Sequence, residues 1–315
     1  MLLFHVLLFL MACVGLVLGS HLVVKALVKI DAYYRLREFI VGSLLMGCLT
    51  SLPEFFVGIF SALTNVSSLS LGNILGSNIV DIALIGGIVA IIGKNVKFET
   101  GIEKRTIFII TAMTLLPLVL FLDQELSRID GIILIAVFFL YVIRILTMKK
   151  NFKVAKYGKV TKRELHKDII IFIVSLAILL GSTRLMVYAA ANIAIGLLVP
   201  PMLIGLVIVS VCTSLPELFF EASSVSKGCN SMAIGDLLGS LAFNSTFILG
   251  VQALILPFNI PFDFSFSVTS IFVIVSILMY LIFARSGKKM SRKEGFILIF
   301  VYILFIVTSI FLARK

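Results

Sequence analysis

The sequence predicts an all-α polytopic membrane protein whose ten transmembrane helices form two inverted five-helix repeats. Composition is the first observation that supports this fold class: 60% of the 315 residues are hydrophobic and 14% are charged, with a mean hydropathy of +1.18. A soluble domain carries about 25% charged residues, so a soluble globule with one core is excluded. The long apolar stretches and an internal repeat are the second and third observations.

Ten apolar stretches approach or exceed the roughly 20 residues that an α-helix needs to cross a bilayer. They cover residues 2–20, 39–64, 69–92, 106–122, 129–148, 169–195, 200–224, 231–256, 265–284 and 294–313. We interpret the first stretch as a retained helix, because it lacks the basic segment with which a signal peptide begins. Each half of the chain contains five stretches. Since five is an odd number, the second half enters the membrane from the opposite side.

The internal repeat consists of two copies of one pattern at a constant offset of 163 residues. The first copy contains Thr-Ser-Leu-Pro-Glu at residues 50–54, and the second contains the same five residues at 213–217. The match continues without a gap through the pairs Gly72 and Gly235, Gly76 and Gly239, Ser77 and Ser240, Asp81 and Asn244, and Gly87 and Gly250. The chain is therefore a duplicated unit, and such a duplication places a polar site where the two halves meet.

The distribution of basic residues predicts the orientation of the chain. The loops after the odd-numbered stretches, with the residues that flank them, contain 23 of the 27 Lys and Arg residues. By the positive-inside rule these loops are cytoplasmic, and both termini lie on the outer side of the cell membrane. We therefore predict a first five-helix repeat at residues 1–148, a cytoplasmic linker at 149–168 and a second five-helix repeat at 169–315. The net charge of +11 is explained by topology and requires no nucleic-acid partner.

Five of the sixteen acidic residues lie within the predicted spans: Glu54, Asp81, Glu217, Glu221 and Asp236. One charge at the centre of a bilayer costs about 2.5–3.5 kcal/mol, so these residues are candidates for function. Glu54 and Glu217 occupy the same position in both repeats, which favours a functional role over that of neutral acids that hold helices together. Glu221 is matched by Gly58, and we place it in a solvated cytoplasmic vestibule. We interpret Asp236, near the start of its span, as a helix cap.

A proline precedes each of the two matched glutamates and predicts a broken helix. Pro53 has no N–H group, so carbonyls around Gly47–Thr50 are freed, and Pro216 has the same effect around Ser210–Thr213. Irregular backbone at membrane depth is tolerated where it is buried in protein or lines a cavity. Carbonyl, hydroxyl and carboxylate oxygens together are the ligands that hard cations such as Ca²⁺ and Na⁺ prefer.

Small residues follow each broken helix, and two interpretations of the serines among them stay open. The repeated glycines favour close packing of helices. Ser77 lies one helical turn before Asp81, and Ser240 lies one turn before Asn244, so each pair shares a helix face. The two serines therefore either donate interhelical hydrogen bonds or bind the ion.

These motifs resemble those of the cation/calcium antiporter superfamily, and within it those of the sodium/calcium exchangers. The matching segments are CLTSLPEF and GNILGSNIVD in the first half and VCTSLPEL and GDLLGSLAFN in the second. The resemblance implies that spans 2, 3, 7 and 8 form an ion-binding core, across which spans 1 and 6 slide as long tilted helices. It also implies the metal ligands Glu54, Glu217, Thr50, Thr213, Asp81, Asn244, Ser51, Ser214, Ser77 and Ser240, with the carbonyls of Gly47 and Ser210.

By this resemblance Glu54 and Glu217 are the carboxylates that Ca²⁺ and Na⁺ share, and Asp81 and Asn244 fill the centre of the site. Sodium/calcium exchangers typically have Asn at the first of these central positions and Asp at the second, whereas this chain has the opposite order. A pseudo-two-fold axis would bring the two positions close together. Three carboxylates then remain in the centre, and we expect the class of ion to be unchanged.

The predicted function is that of a secondary active antiporter that exchanges Ca²⁺ for Na⁺ by alternating access. A Ca²⁺/H⁺ antiporter is the alternative, followed by a cation channel. Serine hydroxyls favour Na⁺, because they complete a Na⁺ shell whereas a proton needs none. We do not expect an enzyme, because the sequence contains neither a metal-protease motif nor a nucleophile–base pair, and we expect no cofactor. The expected partners are Ca²⁺, Na⁺ or H⁺ and the lipid bilayer, around a monomer.

Overall fold

The computed structural model describes residues 1–34, 41–94, 96–97, 104–147, 162–259, 264–286 and 289–312. Within these residues nine helices are long and apolar enough to cross a membrane, and a bent helix pair within residues 44–63 makes a tenth span. The predicted all-α fold with ten spans is therefore confirmed. Residues 39, 40, 148 and 313 of the predicted stretches lie outside the described residues.

The first repeat contains spans 1 to 5. Span 1 is the helix Leu2–Tyr34; span 2 consists of a π-helical turn at Val41–Met46 and α-helices at Gly47–Thr50 and Leu52–Leu63. Span 3 consists of the helix Ser67–Ile79, a π-helical turn at Val80–Ile85 and the helix Gly86–Gly93. Span 4 is Lys104–Leu120 with a 3₁₀ turn at Phe121–Asp123, and span 5 is Arg128–Thr147. Two short strands, β1 at Val96–Lys97 and β2 at Glu125–Leu126, follow spans 3 and 4.

The second repeat contains spans 6 to 10. Span 6 is Lys162–Leu197; span 7 consists of Pro201–Ile204, a π-helical turn at Gly205–Val209, Ser210–Thr213 and Leu215–Ser226. Span 8 consists of Asn230–Ala242, a π-helical turn at Phe243–Ile248 and Leu249–Ile255. Span 9 is Phe264–Ser286 and span 10 is Arg292–Leu312. The strands β3 at Phe258–Asn259 and β4 at Lys289–Met290 follow spans 8 and 9.

The helix of span 6 begins at Lys162, inside the segment 149–168 that the sequence predicts to be a linker. Residues 148–161 lie outside the described residues. The boundaries of the two repeats and of the linker between them therefore stay predictions.

Strand pairing displays the inverted relation between the repeats. β1 pairs with β4, so the loops after spans 3 and 9 share one membrane face, and β2 pairs with β3, so the loops after spans 4 and 8 share the other face. β3 lies 162 residues after its counterpart β1, and β4 lies 164 residues after its counterpart β2. Equivalent strands thus lie on opposite faces, as two inverted repeats require.

Burial separates a central core from peripheral helices. In the most apolar 18-residue segment of spans 3 and 8, 83% and 78% is buried within the protein. In the corresponding segments of spans 1 and 6, the buried share is 28% and 22%. Polar residues of spans 2, 3, 7 and 8 are therefore enclosed by protein, while the long outer helices present apolar side chains outward. This arrangement places the repeated motifs at the centre of the molecule.

Two close helix crossings explain why the repeats need glycine. A methyl group at Gly47 would lie 2.7 Å from the backbone of Gly239, so span 2 crosses span 8 in direct backbone contact. At the equivalent crossing of the other half, a methyl group at Gly76 would lie 2.4 Å from the carbonyl oxygen of Leu206. Close packing is thus the role of these glycines, and it brings the polar residues beside them into contact across the two repeats.

Candidate ion-binding site

Spans 2 and 7 are broken at equivalent serines. Ser51 and Ser214 both have a φ of −83°, with ψ of 13° and 3°, and a new helix with proline in its first turn follows each of them. In span 2 the two helices differ in direction by 50°. Glu54 and Glu217 therefore lie in the first turn of a helix, where the partial positive charge of the N-terminus favours a carboxylate.

Each of these two glutamates is fully buried and held by a serine hydroxyl. Ser77 Oγ donates to Glu54 Oε1 over 3.3 Å, and Ser51 Oγ donates to Glu217 Oε1 over 2.9 Å. The second bond joins the two repeats directly. The Oε2 atom of each glutamate has no hydrogen-bond partner, so each carboxylate presents a free oxygen within the buried core. Ser214 lies beside Glu54 without forming a hydrogen bond of normal geometry.

The two threonines make equivalent contacts across the repeats. Thr50 Oγ1 lies 3.1 Å from Asp236 Oδ1 and 2.9 Å from Met46 O, and Thr213 Oγ1 lies 3.0 Å from Asn73 Oδ1 and 3.2 Å from Ser210 O, so each hydroxyl shares its one proton between a side-chain and a backbone acceptor. Thr50 also lies 3.5 Å from the hydroxyl of Ser240. The hydroxyl groups of Ser77 and Thr213 are 3.4 Å apart, which is the corresponding contact in the other half. The predicted hydroxyl ligands thus form two symmetry-related groups.

Asp236 is a member of this polar network, and its interpretation as a helix cap is wrong. It lies in the interior of the helix Asn230–Ala242, whose cap position is Cys229, and its side chain is fully buried. The helix begins at Asn230, six residues before Asp236, and tertiary packing turns the side chain of Asp236 towards Thr50. The offset of 163 that links it to Asn73 could have indicated a paired role, since both are polar at the same repeat position.

Asp81 and Asn244 occupy equivalent places in the two π-helical turns of spans 3 and 8. Each is the second residue of its turn, fully buried, and neither side chain has a hydrogen-bond partner. π-helical turns inside α-helices are frequent at functional sites. The carboxylate of Asp81 interacts electrostatically with those of Glu54 and Asp236, so it belongs to the same cluster.

The two predicted carbonyl ligands are already hydrogen-bonded. Gly47 O accepts from Ser240 Oγ over 3.3 Å. Ser210 O accepts from the backbone N–H of Ser214 over 3.0 Å and lies 3.2 Å from Thr213 Oγ1, whose proton it shares with Asn73 Oδ1. A carbonyl oxygen has two lone pairs, so the contact at Gly47 leaves one of them available to a cation. Ser210 O accepts one full and one shared hydrogen bond, which makes it the weaker candidate.

Glu221 is also buried, which contradicts its predicted place in a solvated vestibule. Its side chain has no solvent exposure, and both carboxylate oxygens lack a hydrogen-bond partner. It lines a small cavity together with Tyr280 and Leu237, and it interacts electrostatically with Asp236 and Asp81. The matched position in the first repeat is Gly58, which carries no acid. A comparison of the two repeats therefore gave no indication that Glu221 is buried close to other carboxylates.

Five carboxylates are therefore fully buried in one region of the molecule: Glu54, Asp81, Glu217, Glu221 and Asp236. No basic side chain is buried among the residues that the structure describes. Buried charges of one sign are stable only when they are neutralised, here by cations or by protons. The core therefore has to take up cations, protons or both to compensate these five acids.

A cation in this core would need neutral oxygens as well as carboxylates. Within the described ranges, no three Asp, Glu, His or Cys side chains converge closely enough to hold a metal ion by themselves. Hydroxyl groups of serine and threonine lie within hydrogen-bond distance of the carboxylates, as described above. The donor set is composed of oxygen alone, which suits hard cations and not the softer transition metals.

Comparison with known proteins agrees with this chemistry. The profile of the family described as "Sodium/calcium exchanger protein" matches residues 4–147 and 167–311, which is one segment in each half. The sodium/calcium exchanger MaX1 of Methanosarcina acetivorans is 27% identical over 346 aligned positions, covering 97% of this chain and 98% of that protein. The inner membrane protein YrbG of Escherichia coli is 29% identical over 275 positions, covering 84% of each chain.

A solved structure shares the whole fold. The sodium-calcium exchanger NCX_Mj, soaked with 10 mM Na⁺ and 10 mM Sr²⁺, superimposes with a TM-score of 0.72 at 25% identity and covers 98% of this chain and 99% of that one. The family match spans both repeats, including the broken helices and the buried carboxylates described above. The chain belongs to the sodium/calcium exchanger family.

Proposed function

We propose that the protein is a secondary active antiporter that exports Ca²⁺ in exchange for Na⁺. The observation that carries this proposal is the placement of Glu54 and Glu217, one from each repeat, at broken helices in the buried core with a free oxygen on each. Two carboxylates neutralise one Ca²⁺, and their position between inverted repeats is typical of transporters. MaX1 and NCX_Mj, both named as sodium/calcium exchangers, support the same ion class.

We assign the remaining ligands from the polar contacts around these carboxylates. Ca²⁺ takes six to eight oxygen ligands at about 2.3–2.6 Å, more than two carboxylates provide. A hydroxyl that donates to a carboxylate keeps two lone pairs for a cation, so Ser51 and Ser77 can hold a glutamate and bind the ion together. Thr50, Thr213, Ser214, Ser240, Asp81, Asn244 and the carbonyls of Gly47 and Ser210 complete the proposed set.

Na⁺ is the proposed counter-ion because neutral oxygens outnumber carboxylates around the two glutamates. Ser77, Thr213 and Asn73 form a continuous chain of oxygen contacts of 3.0–3.4 Å that ends at Glu54. A monovalent ion is well matched by one carboxylate with several neutral oxygens, whereas a proton needs only one acceptor. Ca²⁺/H⁺ exchange is the alternative, and the flux experiment below separates the two.

Alternating access is proposed to involve sliding of spans 1 and 6 over the core. Their helices contain 33 and 36 residues, well beyond the roughly 20 that suffice to cross a bilayer, so both are expected to be strongly tilted. They contact each other through small residues: Gly15 faces Ser182, and Gly19 faces the backbone at Leu179. Small residues let the two helix backbones pack closely against each other, which suits a pair that moves as one unit.

The experiment that tests this function is ion flux in sealed vesicles containing the purified protein. We expect an outward Na⁺ gradient to drive uptake of ⁴⁵Ca²⁺ above its equilibrium level, and a proton gradient alone to drive none. Uptake driven by a proton gradient alone would establish the Ca²⁺/H⁺ alternative. Rapid uptake that never exceeds equilibrium would indicate a channel, and no uptake under any gradient would refute Ca²⁺ transport.

The proposed orientation, with both termini outside the cell membrane, has its own test. Lys227, in the turn between spans 7 and 8, and Glu125, in β2, are both exposed and lie on opposite faces of the topology. We expect an impermeant thiol reagent to label a cysteine at position 125 on intact cells, and one at position 227 only after permeabilisation. The reverse pattern would invert the orientation.

Size-exclusion chromatography with light scattering tests the expected monomer.

A further inference from the structure

We propose that Asp236 gives one half of the molecule a binding site for a monovalent cation that does not depend on Glu54 or Glu217. This inference rests on the proposed function in taking the cation to be Na⁺, and it assigns a role to a residue outside the ligand set proposed above. The site, here called the Asp236 cluster, consists of the Asp236 carboxylate, the hydroxyls of Thr50 and Ser240, and the carbonyl of Gly47.

The oxygens of the Asp236 cluster form a continuous set of contacts between spans 2 and 8. Asp236 Oδ1 lies 3.1 Å from Thr50 Oγ1. Ser240 Oγ lies 3.5 Å from Thr50 Oγ1 and 3.3 Å from Gly47 O. Ligands about 2.3–2.6 Å from a hard cation lie about 3.3–3.7 Å apart on neighbouring corners of an octahedral shell. The observed separations are therefore close to those of oxygens that surround one such ion.

The crossing of spans 2 and 8 fixes these oxygens in two pairs. Asp236 and Ser240 are four residues apart and share one face of the same helix. Gly47 and Thr50 belong to the short helix that precedes the break in span 2. The two helices are in direct backbone contact, because a methyl group at Gly47 would lie 2.7 Å from Gly239. The donors of the Asp236 cluster are thus held in place by packing before an ion binds.

The two hydroxyls can bind a cation without giving up their backbone hydrogen bonds. Thr50 Oγ1 lies 2.9 Å from Met46 O, so this carbonyl can take the threonine proton while a cation replaces the contact with Asp236. Ser240 donates to Gly47 O. A hydroxyl that donates one hydrogen bond keeps two lone pairs for an ion. Thr50 and Ser240 can therefore coordinate the cation that Asp236 attracts.

The charge of the Asp236 cluster favours a monovalent ion. Asp236 is fully buried, its Oδ2 atom has no hydrogen-bond partner among the described residues, and its Oδ1 atom receives a proton that Thr50 shares with a carbonyl. A buried carboxylate in this state needs a compensating ligand. One carboxylate with three neutral oxygens matches the single charge of Na⁺, whereas Ca²⁺ is neutralised by two carboxylates.

The equivalent cluster in the other half lacks this independent charge. It is built around Thr213 and Ser77, and Asn73 stands at the position that corresponds to Asp236. Ser77 donates to Glu54, so a cation there would share this glutamate with the Ca²⁺ site. The Nδ2 atom of Asn73 finds no acceptor within the described part of the chain, and as an N–H donor it does not bind cations. We therefore infer that the two halves hold Na⁺ unequally.

Thermal unfolding of the purified full-length chain tests the Asp236 cluster without any transport. In Ca²⁺-free buffer with choline in place of Na⁺, added Na⁺ should raise the unfolding midpoint, because a ligand that binds the folded state stabilises it. In the variant Glu54→Gln with Glu217→Gln we expect this rise to persist. Adding Asp236→Asn should abolish it or increase the half-saturating Na⁺ concentration at least about tenfold. Adding Glu125→Gln, which removes an exposed acid, should leave it unchanged.

The proposal is overturned if Na⁺ does not stabilise the double glutamine variant, or if Asp236→Asn leaves that stabilisation unchanged. A charge swap, Asn73→Asp with Asp236→Asn, gives a test that keeps both matched glutamates. In wild type, Thr50→Val should weaken the response to Na⁺ more than Thr213→Val does. In the swapped chain this order should reverse, because the independent carboxylate has moved to the other cluster. The same order in both chains would also overturn the proposal.

Transport kinetics distinguish loss of a Na⁺ ligand from general damage to the site. In Asp236→Asn the Na⁺ concentration that gives half-maximal Ca²⁺ uptake should rise about five- to tenfold, while the KM for Ca²⁺ changes less than about twofold. An equal rise in both constants, or no rise in either, would contradict a separate Na⁺ site. Wild-type flux decides the proposed function independently of these variants. If wild-type protein transports no Ca²⁺, the unfolding test still evaluates the Asp236 cluster.

Discussion

The Sγ atoms of Cys13 and Cys212 lie 2.8 Å apart, so span 1 contacts the residue that directly precedes Thr213 in span 7. This contact connects a helix that we propose to move with the core that we propose to stay fixed. Both thiols are free. A covalent link between them would therefore hold span 1 against the ion-binding core.

We predict that oxidation of this pair arrests exchange. Diamide, a membrane-permeant oxidant, would take one hydrogen from each thiol, become a hydrazine and leave a disulfide between the two sulfurs. Na⁺-driven Ca²⁺ uptake should fall at least tenfold and return after reduction with dithiothreitol. Cys13→Ser is the control and should be insensitive to diamide. Full transport by protein shown by mass spectrometry to be crosslinked would exclude movement of span 1 relative to span 7.

Removal of either matched glutamate should nearly abolish transport. Glu54→Gln and Glu217→Gln each keep the shape of the side chain but remove a charge that a divalent ion requires, and we expect a loss of at least 100-fold in ⁴⁵Ca²⁺ uptake. Glu125→Gln removes an exposed charge and should transport normally. Undiminished uptake by either core variant would contradict the assignment of the site.

The outline of this site follows from the sequence because its signals are local. The constant offset between residues 50–54 and 213–217 identifies the repeat, and the missing N–H groups of Pro53 and Pro216 identify the helix breaks. The apolar stretches likewise predict ten spans within a few residues. The helix of span 1 extends to Tyr34, well beyond its predicted end at residue 20. Hydropathy identifies only the apolar part of a helix, and the helix continues past that part.

The remainder of the site depends on tertiary packing that the sequence does not display. Asp236 is a ligand-like residue because helix Asn230–Ala242 turns it towards Thr50 of the other repeat. Glu221 is buried because spans 3 and 9 cover it, as its cavity lining of Val89 and Tyr280 indicates. The π-helical turns that contain Asp81 and Asn244 were not predicted, because the apolar pattern that identifies a span does not distinguish a π-helical turn from an α-helical one.

The two equivalent threonines should differ in their importance. Each hydroxyl shares its proton with a backbone carbonyl, but the side-chain acceptor differs: it is the carboxylate of Asp236 for Thr50 and the neutral amide oxygen of Asn73 for Thr213. Hydrogen bonds to charged groups contribute about 1.5–3 kcal/mol, against about 0.5–1.5 kcal/mol for neutral pairs. Thr50→Val should therefore lower stability and Ca²⁺ affinity more than Thr213→Val. Thr50→Ser, which keeps the hydroxyl, should remain close to wild type.

Thermal unfolding and Ca²⁺ titration of these three variants provide the measurement. A larger loss for Thr213→Val than for Thr50→Val would show that Asp236 does not depend on the threonine hydroxyl. The same result would count against an ionised Asp236 in the polar network.

Replacement of glycine by alanine should have opposite effects on stability at a close helix crossing, Gly76, and at an open position, Gly181. Gly76→Ala puts a methyl group 2.4 Å from Leu206 O and 2.8 Å from Ser210 Cβ, which forces spans 3 and 7 apart. Overpacking of this kind costs about 1–3 kcal/mol. Gly181→Ala meets nothing within 4 Å, and alanine has the higher helix propensity by about 1 kcal/mol. In detergent, the midpoint of thermal unfolding should fall for the first variant and rise or stay constant for the second.

The exchanged central residues lead to the last prediction. Asp81 and Asn244 are both buried, unpartnered and second in their π-helical turns, so we expect each position to accept the side chain of the other. Asp81→Asn alone should weaken Na⁺ coupling more than Ca²⁺ binding, because crowded Na⁺ ions repel one another more strongly as negative charge is removed. Adding Asn244→Asp restores the third central carboxylate, so Na⁺-driven Ca²⁺ flux should return to within about threefold of wild type. A threefold difference in rate corresponds to under about 1 kcal/mol. A double variant no better than Asp81→Asn would show that the pseudo-two-fold axis does not make the two positions interchangeable.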